Sequence, residues 1–340
     1  RMNLLRTPYN ITVTKEGDFQ TITMGPRLRQ YIDVFRFKHP SYKNEHIHFL
    51  KCVKGETEPK VTVQDGIELV RALNTVTENF KGNKGDTSTQ RNTVVALREN
   101  GRTIDDTVRK SVEMLGGLKI ERDDLVVVKP NVCNPKNLKG MIITDPRLLE
   151  AVLHLLKQKS HNVLVVESDA ASGTAEKRLT ETGVMDVVRK CEAEFLNLSK
   201  DELEEHQVAG LSVALPKTVL KADFLVNLPK FKTNNFVVLS IAMKNMFGVI
   251  GTRKKTHLHP RLSEVLVYLN QLIRQHLIIT DGIVAMEGLG PINGNRVDLG
   301  LIVSGRNAVT VDAACCHIAG FNVYAVEPLW RAHQQGMGEI

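Results

Sequence analysis

The chain has 340 residues, of which 42% are hydrophobic and 24% charged, with 24 glycines and 12 prolines. Those proportions suit one large or two smaller domains with a sizeable core and exclude disordered, collagen-like and low-complexity classes. Uncharged apolar runs such as Phe236–Met243 are far too short to span a membrane.

The formal charge of +7 is unevenly spread. Residues 1–100 hold 16 Lys/Arg against 11 Asp/Glu, and the rest hold 29 against 27. Within that second part, residues 217–261 carry nine basic side chains and one acid, Asp223. A basic segment in an otherwise balanced domain points to a discrete anionic ligand and makes nucleic acid the least favoured partner. The five cysteines (Cys52, Cys133, Cys191, Cys315, Cys316) include no CxxC pair. That inventory predicts a reducing, cytoplasmic setting and no intrinsic iron–sulfur cluster. No apolar signal region opens the sequence, and a start at Arg1 reads as that of a fragment.

Along the chain, short polar and apolar runs such as Ile11–Val13 and Phe19–Ile22 come first. Two helical faces follow, with Ile47, Phe49, Leu50 and Val53 on one and Ile67, Leu69, Val70, Leu73 and Val76 on the other. The polar segment 81–92 has no apolar period and reads as a linker. The expected organisation is a smaller α+β N-terminal segment over 1–86, a linker at 87–92 and an α/β domain over 93–340.

In that domain, apolar strands are expected at Leu125–Val128, Val163–Val166, Phe224–Leu228, Leu277–Thr280 and Leu301–Val303. Helices are expected from Asp145-Pro146 through Leu156, over Pro260–Arg274 and over Val309–Ile318, and Ser199 with Glu202 reads as a capping box. Continuous apolar strands alternating with helices predict an α/β fold with a mainly parallel sheet flanked by helices, its ligand site just beyond the strand ends.

Residues 41–86 resemble the closing part of the Gfo/Idh/MocA dehydrogenase substrate domain, through Glu45, Phe49, Pro59, Val61, Thr62 and Gly66. The chain has no dinucleotide fingerprint, so NAD(P) would require a further upstream domain. Residues 93–340 resemble the domain of unknown function 362 family. The matching motifs are Val128-Lys129-Pro130-Asn131, Thr144-Asp145-Pro146, Val166-Glu167-Ser168, Asn227 to Thr233, Ala242 to Gly248, Asp281-Gly282-Ile283 and Met286 to Pro291. The resemblance implies no particular activity. Some members carry ferredoxin-type cysteine clusters, which this sequence lacks.

Lys129, Asn131, Lys230, Lys232, Lys244, Asn245 and Gly248 form a candidate anion site, with backbone amides near Gly288 and Gly290 as a second cradle. A snorkelling or solvated lysine face is the competing reading. Glu167, Asp281 and Asp312 are candidate ligands for a divalent ion such as Mg²⁺, with Asp169 beside them. For Asp145 and Asp312 a helix-capping role competes.

Glu287 and His257 are candidate general bases, and Lys244 or Lys230 a stabiliser of developing negative charge. His257 and His259 would point the same way in an extended segment, and the adjoining Arg253, Lys254 and Lys255 suit an exposed lid. Cys315 and Cys316 read as buried structural thiols, whereas Cys133 lies on a strand-end loop where it could react. Together these residues point to a metal-assisted enzyme acting on a phosphorylated or carboxylated small molecule. The alternative is a redox accessory domain fused to a Gfo/Idh/MocA-type oxidoreductase, working with a redox partner protein.

Overall fold

A computed structural model describes residues 2–3, 10–15, 18–23, 92–98 and 101–340. The chain divides into two compact units, Arg1–Lys60 and Val61–Ile340. In the first, β1 (Met2–Asn3), β2 (Asn10–Lys15) and β3 (Asp18–Thr23) form an antiparallel sheet in that order. The runs at Ile11–Val13 and Phe19–Ile22 fall on β2 and β3. The helical faces expected between 45 and 80, the dehydrogenase-like stretch 41–86 and nearly all of the linker lie outside the described residues.

The second unit is an α/β layered domain. Its strands are β4 (Val94–Arg98), β5 (Val126–Pro130), β6 (Val163–Glu167), β7 (Glu194–Asn197), β8 (Leu203–Val208), β9 (Leu211–Pro216), β10 (Phe224–Leu228), β11 (Lys230–Asn234), β12 (Val238–Ser240), β13 (Leu277–Glu287), β14 (Asn295–Val297) and β15 (Leu301–Gly305). The main sheet runs β12-β11-β13-β10-β5-β6-β7. From β13 to β7 every pairing is parallel, as is β11 with β13. β12, β14, β15 and β4 add antiparallel pairings at the margins. β5, β10 and β15 are buried at every position, as expected of strands covered on both faces.

The first two helices begin with sequence-coded caps. At α1 (Ile104–Met114) the Thr103 hydroxyl accepts from Asp106 N, and at α2 (Pro146–Lys157) Asp145 accepts from Arg147 N with Pro146 at the first helical position. α3 (Ala175–Glu181) and α4 (Val184–Lys190) follow β6. The short α5 (Lys217–Leu220) precedes β10, and α6 (Ala242–Asn245) follows β12. α7 (Leu262–Leu272), α8 (Ala308–Ile318) and α9 (Glu327–Gln334) complete the helices. One core cluster packs α1, α2 and α4 on a face of the sheet through residues such as Val108, Leu149, Leu153 and Val188. Another packs α7 with β8 and β9 through Leu266, Leu269, Val213 and Leu215. A third joins α8 and α9 to β15.

Two sequence expectations need correction. Ser199 and Glu202 do not cap a helix: Leu198–Lys200 is a single 3-10 turn running into β8, and Ser199 Oγ instead accepts from Asp169 N. α8 is capped by Asn307, whose side chain accepts from Val309 N and Thr310 N, so Asp312 is free to act elsewhere.

β13 is the longest of the described strands, and it changes neighbours midway. Its first half pairs with β10 and β15, its second with β11 and β14. The exchange takes place near Gly282, where a Cβ would stand 2.7 Å from Leu301 O. Beside it, Lys230 Nζ and Asp281 Oδ2 form a wholly buried ion pair at 2.8 Å. Asp281 also accepts from Asp145 N at 2.6 Å and Ile283 N at 3.1 Å. Replacing Asp281 with Asn should lower stability by about 3–5 kcal/mol, because a buried ammonium loses its counter-charge. A denaturation cycle with K230M and the double variant K230M/D281N should show strong coupling, the double variant being more stable than D281N alone.

Candidate functional site

The parallel strands bring their carboxyl ends to one edge, and a cavity of about 220 Å³ opens there. From β5 and the loop after it come Lys129, Asn131, Val132 and Cys133; from β6, Glu167; from β11, Lys232 and Asn234. α6 and the turn after it contribute Lys244, Asn245, Phe247 and Gly248, and the following segment Arg253, Lys255, Thr256 and His259. Arg178 of α3 closes one side. Six basic side chains therefore line the cavity (Lys129, Arg178, Lys232, Lys244, Arg253, Lys255) against a single carboxylate, Glu167.

Each buried cation is held differently. Lys129 pairs with Glu167 at 2.9 Å and also donates to Pro130 O at 2.6 Å. Gly248 makes room for that pair, since a Cβ there would stand 3.0 Å from Lys129 Nζ and 3.3 Å from Glu167 Oε1. Lys232 has only neutral acceptors: Asn131 Oδ1 at 2.9 Å, Ile142 O at 2.7 Å and the Cys133 thiol at 3.2 Å. Arg178 donates to the carbonyls of Val132 and Ser168. Lys255 donates to Ser168 Oγ at 2.6 Å and Asp169 O at 2.9 Å.

Lys244 lies over the Phe247 ring, 4.3 Å from its centroid. Burial, opposed by the Glu167 charge and reinforced by the Lys129 charge, lowers Lys255 to about 7. Burial and the Lys232 charge lower Lys244 to about 8. Both amines thus change charge near neutrality, whereas a solvated lysine does so near pH 10.4.

Amide side chains tie these groups together. Asn245 Nδ2 donates to Asn227 Oδ1 at 2.7 Å and to Lys129 O at 3.2 Å, while Asn131 Nδ2 donates to Asn245 Oδ1 at 3.0 Å. Asn227 in turn donates to Gln275 Oε1 and Ala242 O. Such a connected network ties β10 and the end of β5 to α6.

Of the residues expected from sequence to bind an anion, Lys129, Asn131, Lys232, Lys244, Asn245 and Gly248 line the one cavity. Lys230 does not: two residues before Lys232 on β11, it is buried against Asp281, its register partner on β13. Gly288 and Gly290 are also outside the lining, and Gly290 N donates to Thr233 Oγ1.

Glu167, Asp281 and Asp312 do not form a ligand set. Glu167 and Asp281 are each held by a lysine, and Asp312 lies on α8, accepting from Ala242 N at 2.8 Å and Met243 N at 3.0 Å. Among the described residues no group of three or more His, Cys, Asp or Glu could hold a metal ion.

The expected bases also fall elsewhere. Glu287 ends β13 with its side chain exposed. His257 is exposed and contacts Lys254 O, because Thr256–Arg261 is a 3-10 helix and not an extended segment. In that helix side chains two positions apart diverge, so only His259 reaches the cavity, stacked on Phe236 and Phe247. Burial first, then the Lys244 charge, lowers the His259 pKa.

Sequence reasoning passed over Arg178 and assigned Lys255 to an exposed lid. Nothing in a run of three basic residues marks the third as buried. Cys133, read as the more reactive thiol, does line the cavity, and Cys315 and Cys316 are buried in α8 as expected.

These features define an α/β protein with a cationic cleft at the carboxyl edge of a mainly parallel sheet. The chain belongs to the family described as Domain of unknown function (DUF362), which matches residues 126–317, more than half of its length. That match lies within the 93–340 segment and lends no support to the dehydrogenase resemblance of residues 41–86. The chain is 26% identical over 215 residues to the thylakoid-associated protein sll1697 of Synechocystis sp., covering 61% of this chain and 67% of that protein. Among solved structures it is similar to the lactate racemase apoprotein from Thermoanaerobacterium thermosaccharolyticum, with a TM-score of 0.37 and 15% identity over 68% of this chain. A protein from Thermotoga maritima gives 0.36 and 14% over 66%. The present chain spans 58% and 61% of those two structures, and at such scores the likeness says nothing about activity.

Asp312 is the buried group that sets the position of α6. Burial raises its pKa to about 7, against the lowering effect of the Met243 and Ala242 amides. Asn in its place keeps one acceptor for two N–H groups, so D312N should cost about 1–3 kcal/mol. An acid whose pKa is raised on folding holds a proton that the unfolded chain has released. The advantage of the wild type over D312N should therefore shrink as pH rises from the ordinary carboxylate range to about 7, in urea titrations at a series of pH values.

Proposed function

We propose that the cleft binds a small phosphorylated or carboxylated molecule and that the protein acts on it as an enzyme. The observation that carries this reading is the set of six cationic side chains facing one carboxylate around a single cavity. An anion entering there relieves the mutual repulsion of the ammonium groups and replaces part of their lost hydration. Lys244 is the group best placed for contact, because among the described residues it has neither a carboxylate partner nor a hydrogen-bond acceptor, and Lys232 stands beside it with neutral acceptors only. Lys129, neutralised by Glu167, serves chiefly to orient. Lys255 and Lys244 supply groups that can exchange protons near neutral pH.

The carboxylates expected to hold a divalent ion are engaged by lysines or backbone amides, so the reading rests on ammonium groups rather than on a protein-held metal. Any Mg²⁺ would enter with the ligand's own phosphate oxygens, which is how this ion usually reaches such sites. No feature of the cavity favours the redox accessory reading. Location in the cytoplasm belongs to the same proposal and rests on the cysteine inventory, which has no CxxC pair and an odd count.

Thermal unfolding with sulfate, phosphate and pyrophosphate, against chloride at equal ionic strength, tests the reading. The polyvalent anions should raise the transition temperature saturably, and K244A should weaken their apparent affinity by about tenfold or more. Sulfate keeps its charge, so its stabilising effect should decline as pH rises through about 7 and then about 8, where Lys255 and Lys244 lose their protons. Stabilisation no greater than that given by chloride would remove the proposal.

A further inference from the structure

The four lysines of the cavity are not equivalent. Lys129 is bound to Glu167 and Pro130 O, Lys232 to Asn131, Cys133 and Ile142 O, and Lys255 to Ser168 and Asp169 O. Each of those nitrogens is engaged by two or three acceptors. Lys244 differs: among the described residues it has no hydrogen-bond acceptor and no carboxylate, and its nitrogen lies against the face of Phe247. It projects from a single helical turn whose first two amides are held by Asp312 and whose Asn245 is held by Asn131 and Asn227, so the backbone beneath it is fixed.

We propose that Lys244 is an amine nucleophile that forms a Schiff base with the carbonyl carbon of an anionic substrate, which makes the substrate class aldehydes, ketones or 2-oxo acids bearing a carboxylate or phosphate. This deepens the anion-binding reading and rests on it. Three properties are required of such a lysine, and this one has them. Its lone pair must be available, and no acceptor competes for the protons of the ammonium or fixes its direction. It must lose its proton near neutrality, and burial with the Lys232 ammonium nearby lowers it to about 8, against the attraction of the Phe247 face for the charged form. The substrate must be held beside it, and Lys232 with Arg253 offers positive charge in the same cavity.

In the reaction the Nζ lone pair attacks the carbonyl carbon, a C–N bond forms, and the carbonyl π electrons pass to oxygen, which takes a proton from the surrounding water. The nitrogen then passes one of its protons to that hydroxyl, which leaves as water, and the nitrogen lone pair closes the C=N bond. The product is a positively charged iminium. No oxidant or reductant is consumed. Hydrolysis by one water reverses these steps and returns the carbonyl compound and the free amine.

The test traps the iminium in the full chain. Pyruvate and glycolaldehyde phosphate are used as separate probes with sodium borohydride, which delivers hydride to the iminium carbon and leaves a stable secondary amine. Intact-mass measurement and peptide mapping then locate the label. One adduct per chain on Lys244 is expected from at least one probe, suppressed by excess sulfate. K244R keeps the charge but not a usable nucleophile, and should reduce labelling by about tenfold or more while sulfate still raises the transition temperature. Labelling spread over exposed lysines, labelling of Lys255 instead, or labelling unchanged in K244R would overturn the proposal. An absence of adduct with both probes, in protein that sulfate stabilises, would overturn it also and leave anion binding standing. Loss of sulfate stabilisation in the wild type would remove the underlying reading instead.

Discussion

Taking an ammonium group out of water costs several kcal/mol unless its protons find acceptors or a counter-charge, and this domain does so repeatedly at one edge of its sheet. Lys129, Lys230, Lys232 and Lys255 are all buried among the described residues. Two of them are compensated by carboxylates and two by neutral oxygens and a thiol. Much of the local architecture answers that requirement. The carbonyls of Pro130, Ile142 and Asp169 point at nitrogen, and Gly248 lacks the side chain that would collide with the Lys129–Glu167 pair.

The compensation is complete at Lys230 and incomplete in the cleft. Lys230 and Asp281 balance within the sheet, where β13 changes its partners, and this pair holds the fold together at the exchange. Around the cavity the cations outnumber the carboxylates, which is a poor arrangement for stability alone and a good one for an incoming anion. The amide chain from Gln275 through Asn227, Asn245 and Asn131 keeps the strand ends and α6 in fixed relation, so that the repulsion does not spread the site open. Asp312 serves the same end from the opposite side, by holding the first amides of α6.

Much of this was legible in the sequence. Continuous apolar runs such as Val126–Val128 and Phe224–Val226 point to sheet interior, and Asp145-Pro146 announces a helix start because its chemistry is local. The strand-end residues Lys129, Asn131 and Glu167 could be placed at the ligand edge because parallel strands deliver their carboxyl ends to one side. The motif from Ala242 to Gly248 held cleft residues for the same reason, and Gly248 also leaves space beside the Lys129–Glu167 pair.

What failed depended on contacts between distant segments. Asp281 looked like a strand-end metal ligand, but β13 continues past it and pairs it with Lys230. His257 and His259 share a face only if extended, and the backbone there coils, which separates them by less than one turn and sends His259 alone into the cleft. Lys255 is indistinguishable from Arg253 and Lys254 until Ser168 and Asp169 O, more than eighty positions earlier, are seen to take its protons. The sequence by itself determined an α/β sheet with basic residues at its carboxyl edge, because hydrophobic period and capping are properties of neighbouring residues. Which of those charges are neutralised and which face an open cavity was decided only by tertiary structure, because compensation of a buried charge depends on partners that the chain brings in from far away.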